Sequence, residues 1–197
     1  GIQQDIIKSI AEGNDTLGLM PTGGGKSITF QVPALAQDGV CIVVTPLIAL
    51  MKDQVYNLRR RGIMAAAIYS GMSRHEIVST LENCIFGQTK LLYISPERLS
   101  SDIFLTKLRH INVSFITVDE AHCISQWGQD FRPSYLRILD FIDTLPKRPI
   151  VSAFTATATR EVKDDIAETL RLQDPEIVIT GFDRPNLYYR VEPTRRK

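Results

Sequence analysis

Two short segments carry residue types that handle phosphate. In Met20-Pro21-Thr22-Gly23-Gly24-Gly25-Lys26-Ser27, three consecutive glycines precede a lysine and a serine. Glycine lets successive backbone N–H groups turn inward around phosphate oxygens. A helix starting near Lys26 adds the partial positive charge of its N-terminus. Lys26 can reach β- and γ-phosphates, and Ser27 can offer its hydroxyl to Mg²⁺. The strict phosphate-loop pattern would have glycine where Met20 stands; the rest fits. A glycine-rich turn without a ligand is the plain alternative. The second segment is Asp119-Glu120-Ala121-His122, directly after Ser114-Phe115-Ile116-Thr117-Val118. An acidic pair at the C-terminal end of a buried strand lies where doubly wound sheets bind ligands. Asp119 is suited to hold Mg²⁺ through its hydration shell, and Glu120 to orient and polarise a water molecule. Alone, the pair reads equally well as a capped helix start with Asp119 as N-cap. Beside a phosphate loop, the chemical reading prevails: Lys26, Asp119 and Glu120 as catalytic candidates, Ser27 and Asp119 as candidate metal ligands.

These residues need elements to present them. Ile2 to Ala11 has apolar residues at helical spacing, and Gly13-Asn14-Asp15 ends it. Strands are expected at Thr16–Met20, Val40–Thr45, Ala65–Tyr69, Lys90–Ser95, Val113–Val118, Ile150–Phe154 and Glu176–Thr180. Helices are expected from Lys26 to about Leu35, Ile48 to Arg61, Ser73 to Asn83, Pro96 to His110, Tyr135 to Thr144 and Thr159 to Leu170. Ser73 with Glu76 three residues on makes a capping box. Strands alternating with helices of this length imply βαβ units. The expected fold class is α/β, a three-layer, doubly wound, mostly parallel sheet. Gly181 reads as the domain edge, so residues 1–181 form one lobe and 182–197 a linker or exit strand. The chain starts at Gly1 and is expected to be a piece of something longer.

Composition sets outer limits. The 197 residues suffice for one domain with a sizeable core, and 44% apolar with 23% charged residues is ordinary for a globular protein. No stretch approaches the roughly 18 apolar residues of a membrane span, so no membrane partner is expected. The net charge of +1 provides no domain-wide basic field, which leaves any nucleic-acid contact to local patches. The basic runs Arg59-Arg60-Arg61 and Arg195-Arg196-Lys197 read as solvated surface. Cys41, Cys84 and Cys123 are isolated, with no C-x-x-C pair. A zinc site is not expected from them; two sit in apolar runs suited to a core, and the set fits a reducing, intracellular setting.

A phosphate loop followed by Asp-Glu-Ala-His resembles the superfamily-two helicases, and longer segments resemble the RecQ family among them. These are Val43-Val44-Thr45-Pro46-Leu47-Ile48-Ala49-Leu50-Met51-Lys52-Asp53-Gln54-Val55, Tyr93-Ile94-Ser95-Pro96-Glu97-Arg98-Leu99, Ser152-Ala153-Phe154-Thr155-Ala156-Thr157-Ala158-Thr159 and Phe182-Asp183-Arg184-Pro185-Asn186-Leu187. Most telling is Ala121 to Tyr135, which resembles the aromatic-rich loop that marks the family. The likeness covers nearly the whole chain. It implies a RecA-like phosphate-loop lobe, ATP and Mg²⁺ as cofactors, and 3′-to-5′ unwinding of DNA in recombination and repair. Its implied partners are single-stranded DNA, duplex junctions and a second helicase lobe carrying an arginine finger. Its implied location is the cytoplasm (nucleoid) of a bacterium or the nucleus of a eukaryote. By the same likeness, Gln3 reads the adenine edge, beside Thr22, Gly23, Gly24, Gly25, Lys26 and Ser27 around the phosphates; the aromatic residue that usually precedes the Gln3 motif is not in this chain.

Read physically, Trp127 and Phe131 are interleaved with Gln126, Gln129, Asp130 and Arg132 in a polar loop. A flat aromatic face there can stack an unpaired base, worth about 1–3 kcal/mol, or simply pack on the domain surface. Because the loop begins just after Asp119 and Glu120, a DNA contact could shift the hydrolysis site. The hydroxyls of Thr155 and Thr157 could bond His122 or the acidic pair and relay nucleotide state, or could merely cap the helix from Thr159. An RNA helicase with the same acidic box and a non-catalytic nucleotide-binding scaffold are the other functional readings. The Trp127 loop and the Thr155 to Thr159 pattern argue against the first, and the set Lys26, Ser27, Asp119 and Glu120 against the second.

Overall fold

Val40 to Val44 is a run of five apolar residues, and all five are buried. A strand with no polar alternation must have both faces covered, and successive side chains do point into two different cores. Val40, Ile42 and Val44 join one cluster, Cys41 and Val43 the other. The computed structural model describes residues 1–21, 25–156 and 159–179. The expected linker at 182–197, the domain edge at Gly181, the basic run at 195–197, and the site candidates Thr22, Gly23, Gly24 and Thr157 lie outside the described residues.

The elements in chain order are α1 (Ile2–Ala11), β1 (Thr16–Leu19), α2 (Lys26–Ala36), β2 (Val40–Val44), α3 (Ile48–Arg60), β3 (Ala65–Ile68), α4 (Arg74–Phe86), β4 (Leu91–Ile94), α5 (Asp102–Leu108), β5 (Val113–Val118), α6 (Arg137–Asp143), β6 (Val151–Thr155), α7 (Arg160–Thr169) and β7 (Glu176–Ile179). Short 3₁₀ turns occupy Pro96–Ser100, Ala121–Ile124 and Pro133–Leu136. The strands form one sheet in the order β3-β4-β2-β5-β6-β1-β7, and every pairing among them is parallel. The sheet is therefore more uniform than the mostly parallel one expected. Helices α4 to α7 supply the first core, including Leu81, Phe104, Phe141 and Ile166. Helices α1 to α3 supply the second, including Ile6, Ile10, Phe30 and Met51. Each such side chain contributes about 1.5–3 kcal/mol on burial.

Two expected helices are broken. Pro96–His110 divides at Ser101, whose backbone is extended and whose hydroxyl caps α5 by accepting the Phe104 N–H at 3.3 Å. Tyr135–Thr144 opens as a 3₁₀ turn from Pro133 before α6 begins at Arg137. The Ser73–Glu76 capping box forms reciprocally, at 2.8 and 3.2 Å. α4 runs three residues beyond its expected end, to an exposed Phe86. All three cysteines, one more than expected, are buried; burial pushes the Cys41 thiol up to about 12 and the Cys84 and Cys123 thiols to about 11. Among the described residues no helix is long and apolar enough to cross a membrane.

A carboxylate with no sequence signature holds the far end of the sheet. Asp15 is buried and accepts from Arg148 Nη2 at 2.8 Å, from the Val151 N–H at 2.9 Å and from the Gln173 N–H at 2.7 Å. It thereby locks the starts of β1 and β6 to the turn before β7. Removing one member of such a set leaves buried donors without partners. Asp15→Ala should lower the unfolding free energy by about 3 kcal/mol or more. Urea denaturation reads this directly, and a loss below about 1 kcal/mol would show that the donors find other partners.

Candidate active site

Strand order decides which loops meet. β6 lies between β5 and β1, so the loop leaving β1 and the loop leaving β5 flank the C-terminal end of β6. The first carries Lys26 and the second Asp119 and Glu120. Lys26 Nζ sits 2.5 Å from Asp119 Oδ1 and 3.9 Å from Glu120 Oε1. Only 7% of the Asp119 side chain and 21% of that of Lys26 are exposed, so the pair works in a medium less screening than water. The three catalytic candidates are thus one cluster.

Each is held by its backbone. Gly25 is the N-cap of α2 with φ 74° and ψ 30°, a left-handed conformation that favours glycine. A Cβ there would run into the Gln3 side-chain amide. Gln3 Nε2 donates to the Gly25 carbonyl at 3.2 Å, which attaches the candidate adenine reader to the phosphate loop. The Asp119 N–H is tied to the Val44 carbonyl at 2.9 Å. Tyr135 Oη donates to the Asp119 carbonyl at 2.8 Å; Tyr135 is fully buried, and desolvation holds its phenol well above the usual tyrosine range. Asp119 Oδ1 accepts the Glu120 N–H at 2.9 Å. Glu120 itself has φ 50° and ψ 44°, a conformation a residue with a Cβ adopts at a cost of order 1–3 kcal/mol. It, not Asp119, is the N-cap of the following turn, so the plain helix-cap reading of Asp119 fails.

His122 joins this cluster to two neighbours. Its Nδ1 is 2.8 Å from Thr155 Oγ1 at the end of β6, so Thr155 makes one of the contacts expected of it. Helix capping falls instead to Thr159, whose hydroxyl accepts the Val162 N–H. His122 Nε2 lies 3.6 Å from Glu120 Oε2 and 3.7 Å from Asp130 Oδ2. One imidazole therefore touches the acidic box, the end of β6 and the aromatic loop. Within that loop Trp127 is 77% exposed, which removes the packing reading for its ring. Phe131 is half-buried, and Gln126, Gln129, Asp130 and Arg132 are exposed. The root of the loop is fixed: Ser125 Oγ donates to Asp165 Oδ2 of α7 at 2.6 Å, and the Arg132 N–H reaches the Cys123 carbonyl at 2.8 Å.

The residues fit Mg²⁺ and a nucleoside triphosphate. A buried carboxylate, a lysine paired with it, and a hydroxyl at the N-terminus of α2 just after the left-handed Gly25 form the donor set such a group requires. Ser27 Oγ accepts from Gln54 Nε2 of α3 at 2.9 Å. Tyr135, Gln54, Ser125 and Asp165 carry no individual signal in the sequence; Tyr135, Gln54 and Ser125 stand in recognisable segments, but nothing there says which group each of them meets. Arg59 to Arg61 are exposed as expected, though Arg59 Nε also donates to the Ala65 carbonyl at 2.8 Å.

Comparison with known proteins agrees with this geometry. Residues 1–165 match the family model "DEAD/DEAH box helicase". The chain is 50% identical to the ATP-dependent DNA helicase RecQ of Bacillus subtilis over 190 residues, 96% of this chain and 32% of that protein. It is 44% identical to the probable ATP-dependent DNA helicase RecS of the same organism over 96% of this chain and 38% of that one. The chain thus spans about a third of the length of these relatives. Among solved structures, the helicase MrfA bound to DNA superposes with a TM-score of 0.75 at 19% identity, covering 91% of this chain and 27% of that one. At that identity the likeness shows the fold, a RecA-like helicase lobe.

Tyr135→Phe tests the support of the acidic box. Losing the hydroxyl leaves a buried carbonyl without this donor, so the unfolding free energy should fall by about 1–2 kcal/mol. An unchanged urea midpoint would mean that Asp119 is held by the strand ladder alone.

Proposed function

The chain belongs to the DEAD/DEAH box helicase family, and on that premise we propose that it is the ATP-binding lobe of a 3′-to-5′ DNA helicase of the RecQ type, acting in recombination and repair inside the cell. The observation that carries this reading is the His122 contact set: one side chain touches Glu120, Thr155 and the loop of an exposed Trp127. The similarity to RecQ of Bacillus subtilis supports the choice of DNA.

Phosphoryl transfer in such motors rests on positioning and charge stabilisation. Gly25 and the N-terminus of α2 face the phosphates, Lys26 leaves Asp119 to pair with them, and Gln3 stands beside them to meet the adenine edge. Ser27 and Asp119 would hold Mg²⁺, which when bound neutralises phosphate charge. Glu120 orients the attacking water and accepts its proton. Trp127 and Phe131 stack unpaired bases, while Gln126, Gln129 and Arg132 contact the strand. Displacement of the loop moves Asp130, then His122, then Glu120. That path links a DNA strand to the orientation of water. A second lobe of the parent chain supplies the arginine finger, worth roughly 10³–10⁵ in rate.

Two outcomes are expected. Residues 1–197 alone should bind nucleotide weakly and hydrolyse ATP hardly at all; robust DNA-dependent turnover by this lobe in isolation would remove the need for a partner lobe. In the full-length protein, single-stranded DNA should stimulate ATP hydrolysis strongly. Lys26→Ala should abolish it, Glu120→Gln should lower it by about 10²-fold or more, and Trp127→Ala should weaken DNA stimulation about tenfold with nucleotide affinity retained. Stimulation by RNA but not DNA would convert the reading to an RNA helicase, and undiminished hydrolysis in Glu120→Gln would remove the catalytic assignment.

A further inference from the structure

Gln54 is a side chain that the reaction as described leaves unused. It lies on α3, half-buried, one turn before the buried Leu58. Its amide nitrogen donates to Ser27 Oγ at 2.9 Å, 27 residues away in sequence. Its amide oxygen is buried and has no hydrogen-bond partner among the described residues. A buried carbonyl oxygen left unmatched is costly, and this one is on the same amide that meets the hydroxyl assigned to the metal.

The two observations point the same way. A hydroxyl has one proton to give and two lone pairs to offer. In the arrangement seen, Ser27 spends a lone pair on Gln54. A serine that binds a cation must turn a lone pair to the ion and hand its proton to an acceptor. The amide oxygen and nitrogen of glutamine are nearly equal in size and lie on the same terminal carbon, so a half-turn of the amide about its last torsion exchanges them in place. The oxygen then faces Ser27 and receives its proton, while the nitrogen takes the place the oxygen left.

We propose that Gln54 is a positioning residue for the metal: its amide turns over to accept the Ser27 hydroxyl proton when Ser27 ligates a divalent cation. This rests on the reading of Ser27 as a ligand of Mg²⁺. α3, which starts at the segment Thr45-Pro46-Leu47, is thereby tied to the occupancy of the phosphate loop. Partners of this kind, one bond removed from the ion, are worth about 10- to 100-fold in metal affinity.

The test is equilibrium binding of a fluorescent ADP analogue to the full-length protein, titrated with Mg²⁺ and repeated without it. Gln54→Leu removes both amide atoms at nearly constant size; Gln54→Glu keeps an acceptor. The Mg²⁺ concentration needed for half-maximal tightening should rise about tenfold in Gln54→Leu and return close to the parent value in Gln54→Glu. Metal-free ADP affinity should be alike in all three, which also shows that the variants fold. An unchanged Mg²⁺ requirement in Gln54→Leu overturns the proposal. So does an equal loss of affinity with and without Mg²⁺, which would make Gln54 a packing residue of the loop. Ser27→Ala separates the two layers. If it leaves the Mg²⁺ requirement unchanged, the assignment of Ser27 fails and this inference with it; if it raises the requirement while Gln54→Leu does not, only the inference fails.

Discussion

Lys26 and Asp119 stand 93 residues apart in the chain and 2.5 Å apart in space. Their meeting depends on β6 lying between β1 and β5. A lysine beside a largely buried carboxylate pays a desolvation penalty that only close pairing offsets, so the two loops can approach only in a narrow range of positions. The rest of the site is arranged around that contact. Glu120 follows Asp119 in a left-handed backbone conformation, Tyr135 holds the Asp119 carbonyl from below, and Gly25 turns the phosphate loop into α2 directly before Lys26.

The sheet makes these positions rigid. All strand pairings are parallel and both faces are covered, so the ends of β1, β5 and β6 are fixed by strand neighbours on two sides and by helices on both faces. Interiors packed to crystal density transmit displacement rather than absorb it. Thr155 ends β6 and bonds His122; the backbone of the same residue accepts the Met20 N–H at 3.0 Å, at the mouth of the phosphate loop. The aromatic loop has a fixed root at Ser125 and Asp165 and an exposed tip at Trp127. The loop thus joins an exposed tip to the contacts around His122.

The polar groups buried near the site are few and specific. Ser125, Thr155 and Asp119 are all buried, and each has a named partner on another element. Satisfied buried networks of this kind select one arrangement, because every alternative leaves a donor or acceptor orphaned. Gln54 differs, with one amide atom bonded to Ser27 Oγ and the other without a partner among the described residues.

The sequence by itself determined which segments are strands and helices, because burial on both faces writes continuous apolar runs and amphipathic helices write a 3.6-residue period. It also determined the chemical types at the site: a glycine cradle with Lys26 and Ser27, the Asp119–Glu120 pair, and an aromatic loop, all of which are local in the chain. Boundaries at Ser101 and Pro133 were misplaced because a capping hydroxyl and a proline-led 3₁₀ turn interrupt helices whose apolar period continues through them. What only the tertiary structure decided is which of these segments touch. The roles of Tyr135, Gln54, Asp15 and Asp165 rest on contacts spanning 16 to 158 residues. Such contacts follow from strand order, a property of the whole sheet that no local pattern of residues records.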